Sequence, residues 1–298
     1  MTGVQTCALP IYDHAFREHA LGWPIEGTRK NLDRFDVEGL EAHRRKFYGA
    51  KNSVLCVAGA FDARKTLRAI RRGFGALFEG RRRTDRPRPR SLQPPKPLRY
   101  VHDPGPQSRL RISFRVAPEQ HDDHRALVLL RRWLDGGLSA RLQVELVDRL
   151  GLAYEVGASL ESYSDVGVFD FELNTTHEHL ADAIDALGAL LAETRASPID
   201  HREFERVQRR AENHLEFMLD APPDLGSYYG VGRLFHDVES PQARLASILA
   251  LKPEDVTAVA RRHLTRRRAS AAAVGGADPA TIRRARAAYR RFLRRLGE

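Results

Sequence analysis

The stretch GGLSARLQVELVDRLGLAYEV occupies residues 136–156 and combines two glycine stops, an amphipathic run and the beginning of a strand. Gly136-Gly137 is a pair that typically ends a preceding helix, because glycine tolerates the left-handed backbone of a helix terminus. The run from Ser139 to Leu150 predicts a second helix, which Gly151 ends, and a strand follows. The segment therefore predicts a compact helix–turn–strand unit.

Two side chains of this unit are candidate ligand contacts. Tyr154, at the start of the predicted strand, and Arg149, near the end of the helix, could present a phenol and a guanidinium group to an extended peptide. A tyrosine at the rim of the core and a solvated arginine explain the same pattern. The residues alone leave both interpretations open.

Strands and amphipathic helices continue on both sides of this unit. Leu110, Ile112, Phe114 and Val116 alternate with polar residues, as in a strand with one buried face. Further predicted elements are a helix capped by Asp122, strands at Ala153–Leu160 and Val166–Leu173, a helix through Leu180–Leu191, a helix opened by a capping box of Asp200 and Glu203, a strand near Ala269–Val274 and a basic C-terminal helix. This order predicts an α+β fold of two-layer sandwich domains, with helices on one face of a mostly antiparallel sheet.

A segment rich in proline and arginine, residues 81–98, divides the chain. Proline fixes the backbone and removes hydrogen-bond donors, so an exposed, stiff linker is expected. The piece before it predicts a helix capped by Asp36, a buried strand at Ser53–Ala58 and a helix opened by Asp62. We expect one complete domain over 99–298 and the C-terminal part of a homologous domain over 12–80.

The first eleven residues, MTGVQTCALPI, differ in composition from the residues after them. They carry no charge and resemble translated sequencing-adapter sequence, whereas the next residues are rich in His, Arg and Glu. A secretory signal would need a basic start and a longer apolar core. We therefore expect residues 1–11 to be a non-native leader and leave them out of the predicted fold.

An internal repeat supports the division into homologous domains. Residues 35–62 align without a gap to residues 251–278, an offset of 216, and five positions are identical in both copies. These positions in the first copy are Glu38, Ala42, Arg45, Gly59 and Asp62. Each copy shows a capped helix, a basic stretch, an apolar strand, a glycine and an aspartate. The offset predicts that more than about a hundred residues of the first domain are absent from this chain.

The net charge of +10 is local and does not by itself indicate nucleic acid. Residues 81–90 carry +5 and residues 281–298 carry +6, so the remainder is nearly neutral. The arginine run lacks interleaved aromatic residues, so no nucleic-acid partner is predicted. No apolar run approaches the roughly 18 residues of a membrane-spanning helix, and the apolar stripe of the C-terminal helix is expected to dock on its own domain. We therefore predict no membrane partner.

Candidate metal ligands are sparse. The zinc-binding pattern H-x-x-E-H is absent, and two cysteines, Cys7 and Cys56, exclude a disulfide framework. His121 with His124, and His177 with His179, are better explained as polar first turns of helices than as zinc ligands, because a zinc site needs three or four donors. We predict no metal ligand and no catalytic residue in this chain.

The segment 136–156 closely resembles the second-domain signature of the pitrilysin/insulinase family of zinc metallopeptidases, G-G-L-S-S-R-L-F-x-E-L-R-E-K-x-G-L-A-Y-x-V. The matching residues are Gly136, Gly137, Leu138, Ser139, Arg141, Leu142, Glu145, Leu146, Gly151, Leu152, Ala153, Tyr154 and Val156. Three other stretches are similar to family motifs: HALGWPIEG at 19–27, residues 47–59, and residues 251–276.

The resemblance implies two homologous domains that close around an unfolded peptide, with an H-x-x-E-H zinc site in the first. It implies zinc for the full-length parent and none for this chain, which is then inactive alone. Tyr154 matches a tyrosine that contacts substrate in the family. The accompanying arginine position is occupied by Val147, and Arg149 lies two residues later.

We therefore expect the C-terminal portion of a zinc metalloendopeptidase, which binds unfolded peptide through Tyr154 and Arg149. The polar sheet face of Arg109, Arg111, Arg115, Asp170 and Glu172 is expected to line the chamber. The alternative is a non-catalytic partner or scaffold subunit, in a homo- or heterodimer with a family homologue. A weaker third hypothesis is an arginine-driven nucleic-acid binder. The bacterial cytoplasm and periplasm both remain open.

Overall fold

The computed structural model describes residues 8–17, 19–81, 89, 96–235 and 238–297. The chain divides into two compact units. Unit 1 takes its described residues from 1–25, 88–210 and 246–298, and unit 2 from 26–87 and 211–245. The predicted homologous domains have other boundaries and stay a prediction, because these units are defined by contacts within the structure and the predicted domains by common ancestry.

Unit 1 is built on a five-stranded sheet. Its strands, in spatial order, are β1 (Arg99–His102), β5 (Ala269–Gly275), β2 (Gln107–Val116), β4 (Gly167–Thr176) and β3 (Glu155–Ser162). Among the described strands, only β1 and β5 pair in parallel, so the predicted mostly antiparallel sheet is confirmed. The register sets Ile112 opposite Phe171 and Phe114 opposite Phe169, which puts the alternating apolar residues on one face.

In the described part of unit 1, four helices cover that apolar face. They are α5 (Asp123–Leu134), α6 (Leu180–Ala196), α10 (Pro253–His263) and α11 (Pro279–Leu296). Phe114 meets Phe171 edge to face with ring centroids 6.0 Å apart, and Phe292 of α11 lies 6.3 Å from Phe114. A Cβ on Gly188 of α6 would stand 3.0 Å from the Phe292 ring, so glycine lets α6 and α11 approach each other. The predicted docking of the basic C-terminal helix on its own domain is confirmed.

One short helix, α1 (Ala8–Phe16), packs on the opposite, polar face of the sheet. Ala15 and Phe16 pack against Val166 and Val168, and Ile11 is fully buried. The prediction of helices on one face therefore misses a partial third layer. Part of the expected leader, residues 8–11, forms the beginning of α1, residues 1–7 lie outside the described residues, and the non-native origin of the leader stays a prediction.

Unit 2 is helical in its described part. It contains α2 (Arg29–Leu32), α3 (Val37–Phe47), α4 (Ala63–Phe74), the second half of α7 (His201–Asp220), α8 (Pro222–Phe235) and the start of α9 (Pro241–Leu249). Small residues bring α8 onto an extended segment: a Cβ on Gly226 would lie 3.7 Å from Ala58, and one on Gly230 would lie 3.2 Å from Cys56.

The buried strand predicted at 53–58 is wrong. The segment is extended but pairs with no strand in the described part of the chain, and Leu55 is 52% exposed. Val54 and Val57 are also exposed. A strand requires a hydrogen-bonded neighbour, and an apolar, β-branched composition cannot supply one.

The predicted N-cap residues agree with the structure to different degrees. Asp36 accepts from the Gly39 N–H at 2.7 Å, as predicted. Asp122 has helical backbone angles and makes no cap bond; His121 Nδ1 accepts from the Asp123 N–H instead. Asp200 caps α7, but its predicted capping-box partner, Glu203, accepts from the Trp133 indole at 3.1 Å. The predicted reciprocal box is therefore half formed.

Among the described residues, no helix combines the length and apolar character needed to cross a bilayer.

Candidate functional site

The helix predicted within the 136–156 segment is a π-helix, Gln143–Arg149. Its wider turn is closed by the Leu150 N–H, which donates to the Glu145 C=O at 3.2 Å. Gly151 follows with φ +61°, and the chain then returns, so that the Leu152 and Ala153 N–H groups both donate to the Leu146 C=O. π-Helical turns are rare and often lie at functional sites. The hydrophobic pattern alone did not distinguish this helix from an α-helix.

Arg149 is engaged by the π-helix itself. Its Nε donates to Glu145 Oε2 at 2.7 Å, and its terminal nitrogen pairs with the other carboxylate oxygen. The hydrogen bonds from Arg149 lower the pKa of Glu145, with burial opposing them. Val147, at the family's arginine position, is half-buried. Because Arg149 and Val147 are two residues apart, they project from different sides of the helix.

Tyr154 stands directly before the edge strand β3 and is 68% exposed. Its backbone is fixed, since the Tyr154 N–H donates to the Asn174 C=O at 2.9 Å. In the described part of the chain, the hydroxyl has no hydrogen-bond partner and no bond joins Tyr154 to Arg149. The structure thus places the two predicted residues on one segment without bringing them together, and their contact with substrate stays a prediction.

The loop that opens the segment is anchored from α7. Arg210 donates through one nitrogen to the Gly136 C=O and through the other to Ser139 Oγ, both at 2.9 Å. Gly137 adopts φ +127°, a conformation that favours glycine, and Leu138 is left 86% exposed. Arg210 was not predicted from the sequence, because nothing local marks a partner some seventy residues away.

The edge strand is also held by α5. Asp135 Oδ2 accepts from the Ala158 N–H at 2.8 Å, and Arg131 Nε donates to the Ala158 C=O at 3.1 Å. Neither residue was predicted, since both read as the ordinary polar end of a helix.

The polar sheet face expected to line a chamber is partly covered by α1. Arg115 is 4% exposed and lies over the Phe16 ring, 4.4 Å from its centroid. Asp170 is fully buried; it accepts from Ser113, and Arg111 lies 4.0 Å away.

Burial raises the pKa of Asp170 to about 6, although Arg111 and Ser113 oppose the shift. Arg109 and Glu172 remain exposed on the same face. The expectation that this face lines a chamber is therefore wrong for Arg115 and Asp170, which are buried beneath α1.

The described residues do not fit a zinc site. No group of three or more His, Cys, Asp or Glu side chains among them could hold a metal ion. The candidate histidines are paired elsewhere: His124 Nε2 lies 2.8 Å from Ser162 Oγ, and His177 Nδ1 lies 2.8 Å from Ser108 Oγ. A zinc site needs three or four convergent donors, so no zinc step is assigned to this chain.

Comparison with known proteins identifies the family. The protein-family model described as "Peptidase M16 inactive domain" matches residues 34–211 of the sequence. The chain belongs to this family. The match includes the whole signature segment 136–156 and runs from α3 of unit 2 into α7, so it confirms the resemblance to zinc metallopeptidases.

Curated relatives carry the description "uncharacterized zinc protease". The protein of Rickettsia bellii is 26% identical over 266 residues, covering 85% of this chain and 60% of its own length. That of Streptomyces coelicolor is 26% identical over 278 residues, covering 88% and 58%. The chain thus spans about 60% of the length of these relatives.

Solved structures share the fold. A protease from Helicobacter pylori has a TM-score of 0.79 at 19% identity, covering 90% of this chain and 66% of that one. A peptidase M16 inactive domain from Pseudomonas fluorescens has a TM-score of 0.79 at 17% identity, with coverages of 91% and 65%. These likenesses establish the α+β architecture.

Proposed function

We propose that this chain is the C-terminal portion of a zinc metalloendopeptidase and contributes binding of unfolded peptide. The observation that carries the proposal is Tyr154, an exposed phenol at the start of an edge strand, inside the segment that matches the family signature. Edge strands present unpaired backbone groups, which suit an extended peptide of any sequence. Leu138, exposed on the anchored loop, adds apolar surface to the same segment.

The zinc-bearing part is proposed to lie in a segment outside this chain. Unit 2 supports this, because its extended segment 53–59 is the repeat counterpart of β5, which lies between two strands in unit 1. The relatives, described as zinc proteases, are longer than this chain. We infer that a segment homologous to residues 99–196 supplies the missing strands.

Binding is tested by fluorescence anisotropy with fluorescein-labelled β-casein, an unfolded polypeptide. We expect saturable binding, weakened about tenfold by Tyr154→Ala, which corresponds to about 1.4 kcal/mol. Tyr48→Ala is the matched control, since Tyr48 is 67% exposed but lies in unit 2. Equal affinity of the Tyr154→Ala and native chains would reject the proposed contact.

Cleavage is tested separately with a quenched fluorogenic peptide. The chain alone is expected to release no fluorescence, because its described residues make no metal site. Hydrolysis by the purified chain that a chelator abolishes would overturn the assignment of zinc to another segment.

A non-catalytic scaffold subunit is the second candidate, and Val147 favours it. A half-buried valine replaces the family's substrate-contacting arginine, and Arg149 is occupied by Glu145. The upstream reading frame discriminates the two. An intact H-x-x-E-H motif there supports the peptidase, and a degenerate one supports the scaffold subunit, dimerised with a zinc-bearing homologue.

A further inference from the structure

The outer edge of β3 is occupied at its centre by two side chains from the C-terminal end of α5, one in its last turn and one at its C-cap. Asp135 and Arg131 bind the N–H and the C=O of one residue, Ala158, at 2.8 and 3.1 Å. Because β3 is the end strand of the sheet, these backbone groups would otherwise face an added strand. Both hydrogen-bonding groups of Ala158 are therefore taken.

The two side chains are held in place by the end of α5. The Asp135 N–H donates to the Arg131 C=O at 2.8 Å, so Asp135 is the C-cap residue of the last turn, which contains Arg131. A Cβ on Gly157 would lie 3.5 Å from Asp135 Oδ2, so the carboxylate lies directly against the strand backbone. The C-terminal end of α5 thus contacts the middle of the β3 edge.

The geometry of β3 determines which other backbone groups on its outer edge can bond to an added strand. Alternate residues of an antiparallel strand direct their backbone groups to the same side, so Val156 and Leu160 face outward as Ala158 does. Val156 lies about 7 Å before Ala158, towards Tyr154, and Leu160 lies about 7 Å beyond it. A strand added along the whole edge would have to form backbone hydrogen bonds with Val156, Ala158 and Leu160 in turn. The N–H and C=O of Ala158 are already bonded to Asp135 and Arg131.

We propose that Arg131 and Asp135 form a stop on the β3 edge, which confines an added peptide strand to the end at Tyr154 and Val156. The inference rests on the proposed function, because the added strand is the unfolded peptide. It defines the substrate class more closely as peptides that need only a short extended stretch, paired over two or three residues, to engage this unit.

The stop itself is tested in the free protein by amide hydrogen exchange at Ala158. Asp135→Ala leaves the N–H open to water and is expected to speed its exchange at least tenfold. Asp135→Asn keeps an acceptor oxygen and is expected to exchange slowly, and Asp148→Ala, on the exposed side of the π-helix, is the control. Unchanged exchange in Asp135→Ala would overturn the stop.

Its effect on peptide is tested by the same measurement with saturating β-casein. In the native chain we expect β-casein to slow amide exchange at Val156. We expect exchange at Leu160 to stay at its rate in the free protein. In the double variant Arg131→Ala/Asp135→Ala, exchange is expected to slow at both. Protection of Leu160 in the native chain would refute the confinement. Absence of any protection in either protein would refute the proposed peptide binding, whereas exchange at Ala158 in the free protein still decides the stop.

Discussion

Asp62 and Asp278 stand 216 residues apart and cap their helices in the same way. Asp62 Oδ1 accepts from the Lys65 N–H at 2.9 Å, and Asp278 Oδ1 accepts from the Thr281 N–H at 3.2 Å, three residues on in each case. The helices before them agree as well, since α3 spans Val37–Phe47 and α10 spans Pro253–His263, shifted by 216 at both ends. The helices and the aspartate cap of the internal repeat therefore recur in the structure, whereas the strand between them is formed only in the second copy, as β5.

The Asp278 cap is expected to carry part of the stability of unit 1. Asp278→Ala leaves two N–H groups of α11 without an acceptor and should lower the urea midpoint, whereas Asp278→Asn keeps an acceptor and should preserve most of it. Hydrogen bonds from Thr281 lower the pKa of Asp278, so this contribution is present at neutral pH and is lost on acidification below the usual aspartate pKa. Equal midpoints of the alanine and asparagine variants would contradict the role of the cap.

His263 predicts a loss of stability on mild acidification. The ring is 3% exposed, with Nε2 placed 2.7 Å from Asp123 Oδ2 and Nδ1 buried without a partner among the described residues. Burial lowers the pKa of His263, and the Asp123 carboxylate only partly opposes this. The fold therefore favours the neutral ring, and its stability falls as the pH drops below about 6.5, where the unfolded chain takes up a proton.

The measurement is the free energy of unfolding in urea between pH 7.5 and 5. His263→Gln, which cannot titrate, should show a flatter profile over this interval. His201→Gln is the control, because His201 is 80% exposed and sits at the start of α7. A native profile that stays parallel to that of His263→Gln would contradict the lowered pKa.

Sequence patterns sufficed for most of unit 1 and failed where long-range partners decide the outcome. Alternation predicted β2, and helical periodicity predicted α6 and α11, because burial of one face is encoded locally. The segment 53–58 carries the same local signal as a strand and is exposed, because its pairing depends on residues elsewhere. Local composition can favour a strand, but the strand forms only where a neighbouring strand pairs with it.

The candidate site shows the same limit. The motif pointed to Tyr154, whose exposure agrees with a contact, but it gave no sign that Arg149 pairs with Glu145. Arg131, Asp135 and Arg210 were not found, since each acts on backbone groups that any sequence provides. The cover of α1 over Arg115 was missed because its residues fell largely in the excluded leader and just beyond it.

Asp170 predicts a pH dependence of opposite sign to that of His263. Its pKa is raised to about 6 by burial, so the fold favours the protonated acid, and stability is lost as the pH rises from about 4 to about 6. Asp170→Asn cannot ionise and should lack this loss. The difference in unfolding free energy between the variant and the native chain should change by about 3 kcal/mol in total across this titration.

The comparison is made by urea unfolding at pH 4, 5, 6 and 7, with Asp165→Asn, in the loop between β3 and β4, as a control. A constant difference across the series would show that Asp170 titrates in the fold as it does in the unfolded chain.

Leu55 and Ala271 occupy equivalent positions of the repeat, and the same substitution should affect them very differently. Ala271 is fully buried in β5 opposite Ile112, so Ala271→Asp places a carboxylate in the core of unit 1 and should cost several kcal/mol or prevent folding. Leu55 is half exposed and unpaired, so Leu55→Asp should change the urea midpoint little.

If a homologous segment completes unit 2, the outcome reverses in its presence. Leu55→Asp should then abolish co-purification of the chain with that segment, expressed from the upstream reading frame. Leu67→Asp, on the exposed side of α4, is the control and should reduce co-purification less than Leu55→Asp does. A large destabilisation by Leu55→Asp in the chain alone would show that 53–59 is already packed as β5 is, and would remove the argument for a missing strand.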